Sequence, residues 1–458
     1  MTNMKTIVAV IDAGGRGSAL IDAYAKSPKV DELIAIPGND LMQINTKKPV
    51  YTFPDLKTTS RDEILKVCKE FNVSLVDVAQ DNAVEAGVSD LLRENGFKVV
   101  GASKEAGRLE WDKAWSRDFM VENGLPVPAY KVCRSEAEGL KFLQSQTDHA
   151  WFIKAAGLAE GKGVIPARDN DHAIEAIKEM ARFGEAGKTF LIEQALVGEE
   201  FSAFAIADGN SYQYLTAAQD HKRVDDGDLG PNTGGMGCSV PALVVTGEIK
   251  EAVEQIFEKT FEGLKKEGLS YQGIIYLGGM VVNENDGEKV YIIEYNARWG
   301  DPEVECILPG IENDWYGVSL AVSDNKLSEI KIESDNLSRV AIAAASLGYP
   351  EDYSKVKGKV INGLEELTRT PGVKIYGAGV KRITQNINPE KREGPVLYTY
   401  TASGGRLFYV VAEGKDVVEA REKAYAALQK VSITGEGGSN LLHYRKDIGY
   451  RDVARLSE

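Results

Sequence analysis

The chain has 458 residues, of which 43% are hydrophobic and 27% are charged. This length suggests roughly two to four domains, and this composition is that of a soluble globular protein rather than a disordered or fibrous one. The 54 basic and 69 acidic residues give a net charge of −15. That charge argues against a general nucleic-acid-binding surface and leaves room for a local basic pocket.

Cysteine usage and the N-terminus bear on cellular location. Cys68, Cys133, Cys238 and Cys306 lie far apart and form no C-x-x-C pair, which argues against zinc and redox motifs and is typical of a reducing compartment. The first apolar run, 7–11, is shorter than a signal-peptide core or a membrane span. We expect a cytoplasmic protein that acts on small molecules, without nucleic-acid or membrane partners, as a monomer or weak homo-oligomer.

The first stretch of the chain alternates short apolar runs with helical patterns. Candidate strands lie at 6–11, 33–36 and 75–79. Helical spacing covers 18–27, 61–71 and 86–95. This alternation predicts a doubly wound parallel sheet that binds its ligand beyond the carboxyl ends of the strands. We end this domain near residue 102.

The remaining chain predicts two further domains. Residues 103–335 mix helices with strands expected to pair as antiparallel hairpins, and residues 125–193 form a separate lobe within that domain. Residues 336–458 begin with an apolar run at 339–345 and carry a helical pattern at 416–430. The predicted fold class is therefore a multidomain α/β and α+β protein with a mixed C-terminal domain.

A glycine turn follows the first candidate strand. Gly14, Gly15 and Gly17 precede a helix, and backbone N–H groups at a helix start bind phosphate. A plain tight turn also explains glycines here, but Arg16 favours an anion because its guanidinium can bind phosphate bidentately. Leu20 stands where the dinucleotide fingerprint needs its third glycine, which argues against a nicotinamide oxidoreductase.

A second glycine-rich segment predicts phosphate binding more strongly. Lys154 ends a candidate strand, and Gly157, Gly161, Lys162 and Gly163 follow it. Flexible glycines allow backbone amides to close over phosphates while the lysines supply positive charge. The segment is not a Walker A loop, because Lys162 occupies the position of its second glycine. A mobile surface hairpin is the alternative interpretation.

Two polar segments favour substrate contact. Residues 192–196 resemble a linker between lobes, which can offer backbone groups to an adenine edge and a carboxylate to ribose hydroxyls, although a solvated face is the alternative. Residues 220–237 contain too many glycines and a proline for a regular element. Such a loop is costly to order unless it binds a ligand, so we interpret it as facing the substrate.

The segment 290–303 begins as a strand whose alternation places Glu294, Asn296 and Arg298 on one face. A carboxylate and an amide oxygen are hard ligands suited to Mg²⁺, which takes few protein ligands together with nucleotide phosphates. Arg298 would lie beside the same phosphates. An exposed polar strand face is the alternative interpretation.

Together these segments resemble the glycinamide ribonucleotide synthetase (phosphoribosylamine–glycine ligase) family of the ATP-grasp superfamily. The resemblance runs nearly end to end. Its most specific parts are Asp220–Arg223, Gly230–Gly237, Glu294–Glu303, Ser403–Arg406 and Arg445–Gly449.

The resemblance implies ATP-dependent ligation of glycine to 5-phosphoribosylamine through a glycyl phosphate, with Mg²⁺ or Mn²⁺ bound. It implies catalytic roles for Arg298, Lys154 and Asp228, and metal ligation by Glu294 and Asn296. Nucleotide contacts would come from Lys113, Lys154, Gly157, Gly161, Lys162, Gly163, Glu193, Leu196 and Glu200. Substrate contacts would come from Gly14, Gly15, Arg16, Asn39, Asp81, Asp228, Pro231, Asn232, Thr233, Gly234, Gly235 and Arg298.

The sequence departs from the family pattern mainly in the first domain. The family's G-G-R-E-H-A-L turn has Gly17 and Ser18 in place of its Glu and His, and its G-P-E-x-P-L turn is Ala79–Val84 here. Val304 and Glu305 replace a Thr-Gln pair. One alternative is therefore a sister ligase that uses the same ATP site for a different amine or amino acid. A nucleotide-binding protein without turnover is the other alternative.

Overall fold

The computed structural model of the chain describes residues 5–159, 163–386 and 396–457. The first domain holds the predicted parallel sheet, with strand order β3-β2-β1-β4-β5. Its elements are β1 (Ile7–Ile11), α1 (Gly15–Lys26), β2 (Glu32–Ala35), β3 (Val50–Thr52), α2 (Arg61–Glu70), β4 (Leu75–Val78), α3 (Asp81–Glu85), α4 (Val88–Glu94) and β5 (Val99–Val100). All pairings are parallel, so the turns after β1, β2 and β4 share one edge of the sheet.

A small antiparallel lobe follows two linking helices. The helices are α5 (Arg108–Trp111) and α6 (Lys113–Glu122). The lobe contains β6 (Tyr130–Cys133), α7 (Glu136–Gln144), β7 (Trp151–Ala155), β8 (Val164–Ala167), α8 (Asn170–Glu179), α9 (Glu185–Lys188) and β9 (Phe190–Gln194). Its sheet has the order β6-β9-β7-β8, and its apolar side chains form a core of their own. This lobe occupies the stretch that the sequence predicts as a separate unit.

The central body is built on long antiparallel strands. It contains β10 (Glu199–Asp208), β11 (Tyr212–Asp220), β12 (Arg223–Asp225), β13 (Leu229–Asn232), β14 (Gly237–Val240), α10 (Gly247–Lys266), β15 (Gln272–Glu284), β16 (Gly287–Asn296), α11 (Glu303–Gly310) and α12 (Trp315–Ser323). The short strands β12 and β13 pair only with each other, among the described residues, and form a hairpin within the segment that follows β11.

The C-terminal part continues the same large sheet. It contains β17 (Ser338–Ser346), β18 (Val360–Ile361), α13 (Leu364–Leu367), β19 (Val373–Gly377), β20 (Val380–Asn386), β21 (Val396–Ala402), β22 (Arg406–Gly414), α14 (Val417–Leu428), β23 (Leu442–His443) and α15 (Tyr450–Arg455). The strand order β16-β15-β10-β11-β14-β17-β22-β19 runs through both parts, with β23 also on β17.

The junction between the two parts is strand β14, which pairs with β11 on one side and β17 on the other. The multidomain α/β fold predicted from the sequence is confirmed, and the predicted break at residue 335 falls in the loop before β17. No helix in the described parts of the chain is both long enough and apolar enough to cross a membrane.

Candidate active site

A cavity of about 270 Å³ lies between the four-stranded lobe and the large sheet. The sequence-predicted residues that line it are Asp81, Lys113, Lys154, Gly157, Gly163, Glu193, Leu196, Glu200, Asn232, Thr233, Gly234, Glu294, Asn296 and Arg298. Gly161 and Lys162 lie outside the described residues. The predicted site residues that do not line it are Gly14, Gly15, Arg16, Asn39, Asp228, Pro231 and Gly235.

Lys113 enters the cavity from the first residue of α6. The Asp112 side chain caps this helix by accepting the N–H of Trp115 at 3.1 Å. The N–H of Lys113 itself donates to the carbonyl of Ala156 at 2.9 Å, which joins the helix start to the strand end that carries Lys154. The two predicted nucleotide lysines are therefore held together through the backbone of the lobe.

Glu193 on β9 is the centre of a buried charge cluster. It accepts from Lys154 Nζ at 2.5 Å and from Arg117 Nε and Nη2 at 2.9 and 2.6 Å. Arg117 also donates to the carbonyls of Ile292 and Ile293 on β16. Burial lowers the pKa of Lys154, and the Glu193 carboxylate opposes that effect. Glu193 thus favours the charged form of Lys154 at the cavity wall and ties the lobe to the body.

A second charge cluster lies where β10 and β11 meet the cavity. Lys222 Nζ lies 2.8 Å from Glu200 Oε2, and Lys222 lowers the pKa of that carboxyl. Burial opposes the charge on Lys222, but Glu200 and Asp220 raise its pKa well above the ordinary value. The predicted ribose ligand Glu200 therefore has an ion-pair partner in this state, and Lys222 is a further cation facing the site.

Glu294 and Asn296 lie at the end of β16, next to a β-bulge between Gly278 and Gly279 of β15. Burial raises the pKa of Glu294, but Lys222, Lys113, Lys154 and Arg298 together bring it below the ordinary value. Within the described parts of the chain this carboxylate accepts no protein hydrogen bond closer than 3.5 Å, so its lone pairs face the cavity.

The charge of the cavity lining favours a bound cation. Among the described residues, eight acidic and four basic side chains line it, so this set presents a polyphosphate with an excess of negative charge unless cations accompany it. Burial raises the pKa of Glu303 to about 7, and the neighbouring Asp220 adds to that shift. No group of three or more acidic, His or Cys ligands for a metal occurs in the described ranges. One carboxylate plus one amide oxygen fits a metal that takes its other ligands from phosphate and water.

The Arg298 side chain is held next to Asn296, the amide of the predicted metal-binding pair. It forms an ion pair with Glu110 at 2.8 Å and donates to Asn296 Oδ1 at 2.9 Å and to the carbonyl of Trp299 at 3.1 Å. Its Nε is buried and has no hydrogen-bond partner among the described residues. Glu110 in turn accepts the N–H of Ala297 at 2.8 Å, so the orientation of the guanidinium is set by a buried carboxylate.

The glycine loop after β13 is fixed by an arginine from the C-terminal part. Arg406 Nη1 donates to the carbonyls of Gly234 and Gly235 at 2.7 and 3.2 Å, and it forms an ion pair with Asp301 at 3.0 Å. Thr233 donates its hydroxyl to the carbonyl of Lys222 at 2.9 Å. Asn232, Thr233 and Gly234 therefore face the cavity with their backbone held on both sides.

Asp228, which the resemblance gives a catalytic role, lies in a different environment. Its carboxylate pairs with Arg445 at 2.8 Å and Arg451 at 2.5 Å, and it accepts from the Tyr450 hydroxyl at 3.0 Å. His221, whose Nδ1 is 3.7 Å away, and the two arginines hold its pKa well below the usual range. In this arrangement Asp228 joins the loop to the C-terminal part and does not line the cavity.

At the turn after β1, the side chains predicted to contact substrate form hydrogen bonds within the protein. Arg16 donates from Nε to Asp12 at 2.9 Å and from Nη1 to the carbonyl of Trp299 at 2.9 Å, so the bidentate phosphate contact expected of it is not available in this state. Asn39 donates to the carbonyls of Ala13 and Gly377, each at 2.8 Å. Arg16 and Asn39, two of the residues predicted to contact substrate, thus bind other parts of the protein in this structure.

Several site residues were missed in the analysis of the sequence. Arg117 lies four residues after Lys113, one turn along the same helix. This spacing places both residues on one helix face and could have indicated that Arg117 lies near the site. Lys222 and Asp220 belong to the loop expected to face substrate, but they were not singled out within it. Glu303 ends the motif 294–303 but was given no role of its own, and Glu110 gave no local signal because only the folded chain brings it to Arg298.

The lobe over the large sheet, with lysines on both walls and a carboxylate–amide pair beneath, defines an ATP-grasp enzyme. Models of the phosphoribosylglycinamide synthetase N domain, ATP-grasp (A) domain and C domain match residues 6–110, 111–304 and 339–451. The chain belongs to the phosphoribosylglycinamide synthetase family.

Individual relatives agree with this assignment. The chain is 35% identical over 446 residues to the phosphoribosylamine–glycine ligase of Chlorobaculum tepidum, covering 96% of this chain and 99% of that protein. It is 37% identical over 441 residues to the chloroplastic enzyme of that name from Arabidopsis thaliana, covering 95% and 78%. The crystal structure of the phosphoribosylamine–glycine ligase from Thermotoga maritima matches with a TM-score of 0.76 at 29% identity, covering 97% and 100%.

Proposed function

We propose that this chain ligates glycine to 5-phosphoribosylamine at the expense of ATP, giving glycinamide ribonucleotide, ADP and phosphate. The observation that carries the proposal is the cavity in which Lys113, Lys154, Lys222 and Arg298 surround Glu294. Cations around an ionised carboxylate suit a metal-bound polyphosphate, and family membership supports the amine and amino-acid substrates.

The residues act chiefly by positioning and by neutralising charge. Lys113 and Lys154 would hold the nucleotide phosphates, and the glycine segment that begins at Gly157 would close over them. Gln194 and Leu196 line the cavity beside the lobe and would offer backbone groups to adenine. Arg298, held by Glu110, would balance the charge of the phosphoryl group as it moves to the glycine carboxylate.

Glu294 and Asn296 would hold Mg²⁺ or Mn²⁺, which supplies charge neutralisation at the transferring phosphate. Asn232, Thr233 and Gly234 would bind glycine, because Arg406 and Thr233 fix their backbone at the cavity wall. The amine of phosphoribosylamine would then attack the glycyl phosphate and release inorganic phosphate. Asp228 would keep this loop in place. We further propose that the protein works in the cytoplasm as a monomer or weak homo-oligomer.

The test is an ADP-release assay on the full chain with ATP, Mg²⁺, glycine and freshly generated phosphoribosylamine. We expect ADP formation that needs both substrates, with glycinamide ribonucleotide detected by mass spectrometry. The variant Lys113→Ala should lose most activity, whereas Lys188→Ala should retain it, because Lys188 lies on the exposed surface of the four-stranded lobe and does not line the cavity. ADP formation that ignores phosphoribosylamine but responds to another amine would favour a sister ligase and overturn the proposal.

A further inference from the structure

The turn between β1 and α1 is occupied by a carboxylate of the protein itself. Asp12 is fully buried, and its Oδ1 accepts the N–H groups of Gly14 and, at 3.2 Å, of Gly17. Its Oδ2 accepts from Arg16 Nε at 2.9 Å. Two backbone donors at a helix start and one guanidinium are the donors that a bound phosphate would use.

The surroundings of the turn add further carboxyl groups. Asp301 Oδ2 accepts the N–H of Arg16 at 3.4 Å. Glu305, from α11, is fully buried, and within the described parts of the chain neither of its carboxyl oxygens has a hydrogen-bond partner. A side chain at Gly15 would collide with Glu305 and with the ring of Tyr409, so the backbone of the turn lies directly against them.

We propose that Asp12 is a specificity-determining residue. Its carboxylate fills the anion position of the β1–α1 turn, so that the chain recognises its amine substrate through the sugar and the amine rather than through a phosphate. This inference rests on the proposed function for the identity of the sugar. A phosphate dianion at the turn would have to displace Asp12 from its three donors and would remain close to that negative charge.

Direct binding measurements test the role of Asp12 without turnover. Isothermal titration of the full chain with ribose and with ribose 5-phosphate gives the preference for the phosphate group. The wild type should bind both sugars within about three-fold of each other. In Asp12→Asn the amide oxygen can still accept the backbone N–H groups, but the charge is gone and Arg16 loses its ion-pair partner. That variant should prefer ribose 5-phosphate by about 10-fold or more, in line with one charged phosphate contact.

Asp90→Asn is the matched control, because Asp90 also belongs to the first domain and accepts a backbone N–H, from Lys104 at 2.8 Å, away from the turn. It should show the wild-type preference. Asp12→Ser gives a second variant with a smaller side chain, and thermal unfolding identifies any variant that does not fold. A wild type that already prefers ribose 5-phosphate by 10-fold would overturn the proposal. Equal preference in the wild type and both Asp12 variants, or no binding of either sugar to any of them, would also overturn it.

Kinetics separate this proposal from the proposed function. If phosphoribosylamine is the substrate, Asp12→Asn should lower its KM by about 10-fold and leave the KM for ATP unchanged, because the nucleotide lies in the cavity and not at the turn. If the wild type makes no glycinamide ribonucleotide, the proposed function fails, and the sugar-binding preference still reports on Asp12. A raised KM for phosphoribosylamine in Asp12→Asn would overturn the role given to Asp12.

Discussion

Replacing Glu193 with Gln should destabilise the join between the lobe and the body and weaken nucleotide binding. Glu193 is 1% exposed, and its carboxylate forms ion pairs with two buried cations, Lys154 and Arg117. Gln has nearly the same volume but presents one acceptor oxygen in place of two. Its amide N–H₂ group would lie against one of the cations, so the change removes charge without creating a cavity.

The size of the effect follows from burial. Removing one partner of a buried ion pair leaves an uncompensated charge and costs about 3–5 kcal/mol. Here two cations lose their partner, while three hydrogen bonds of 2.5 to 2.9 Å are weakened. Arg117 keeps its bonds to the carbonyls of Ile292 and Ile293, which limits the loss. We therefore expect a decrease of about 3–5 kcal/mol in the free energy of unfolding.

Urea unfolding followed by circular dichroism measures this decrease. Glu179→Gln is the matched control: Glu179 lies in the same lobe and pairs with Arg182 at 2.8 Å, but both side chains are about half exposed. That exposed pair should contribute about 0–0.5 kcal/mol. A loss below about 1 kcal/mol in Glu193→Gln, or equal losses in the two variants, would refute the argument from burial.

Nucleotide binding gives a second measurement on the same variant. Burial lowers the pKa of Lys154 and Glu193 opposes it, so Glu193→Gln should lower that pKa further. A lysine binds phosphate in its charged form. ATP affinity should therefore fall as pH rises through the pKa of Lys154, and this fall should come at lower pH in the variant. Superimposable pH profiles would show that Glu193 does not control the charge of Lys154.

Three further predictions concern the metal, the lid and acid stability. Glu294→Gln should reduce ADP release by about 100-fold or more at saturating Mg²⁺ with an unchanged circular dichroism spectrum, and normal activity would exclude it as a metal ligand. Amide exchange at Gly157–Ala159 should slow when an ATP analogue binds, and equal protection would argue against a closing lid. Because the folded-state pKa of Asp228 is lowered, its contribution to stability is present above about pH 4 and is lost as pH falls below that. Asp228→Asn should therefore be less stable than wild type at pH 7, and the difference should shrink towards pH 3; a constant difference would contradict the linkage.

The first domain shows how far local pattern predicts structure. The apolar run that ends at Ile11 and the run at 75–78 are strands with every residue buried, as a parallel sheet requires. Strand β3 was missed, because its three residues are partly exposed and give no apolar run. Helix α1 begins at Gly15, three residues before the predicted start, because Gly14 and Gly15 belong to the turn and helix start and not to a separate loop.

The candidate site shows where such prediction ends. Lys154 could be predicted to bind phosphate from the glycine segment that follows it in sequence, and Lys113 only from the resemblance to the family. The buried side chains that pair with Glu193 around Lys154 could not be predicted in either way. Glu193 and Arg117 are 76 residues apart, and Arg16 meets Trp299 across 283 residues. A residue pattern shows which groups are available for chemistry, but only the fold decides whether a cation faces a ligand or a protein carboxylate.

The continuity of the large sheet brings residues of the C-terminal part beside the candidate active site. Because β14 joins β11 to β17, and β17 pairs with β22, the first residue of β22 contacts two residues that line the cavity, Gly234 and Asp301. That residue is Arg406, which holds the carbonyls of Gly234 and Gly235 and pairs with Asp301. Asp301 also accepts from the N–H of Arg16 and from the Tyr409 hydroxyl. One arginine and one aspartate thus connect the glycine loop to the turn of the first domain. The proposed amine site and the proposed glycine site would then share a rigid support, which would fix the distance between the two reacting groups more firmly than separate domains on flexible linkers could.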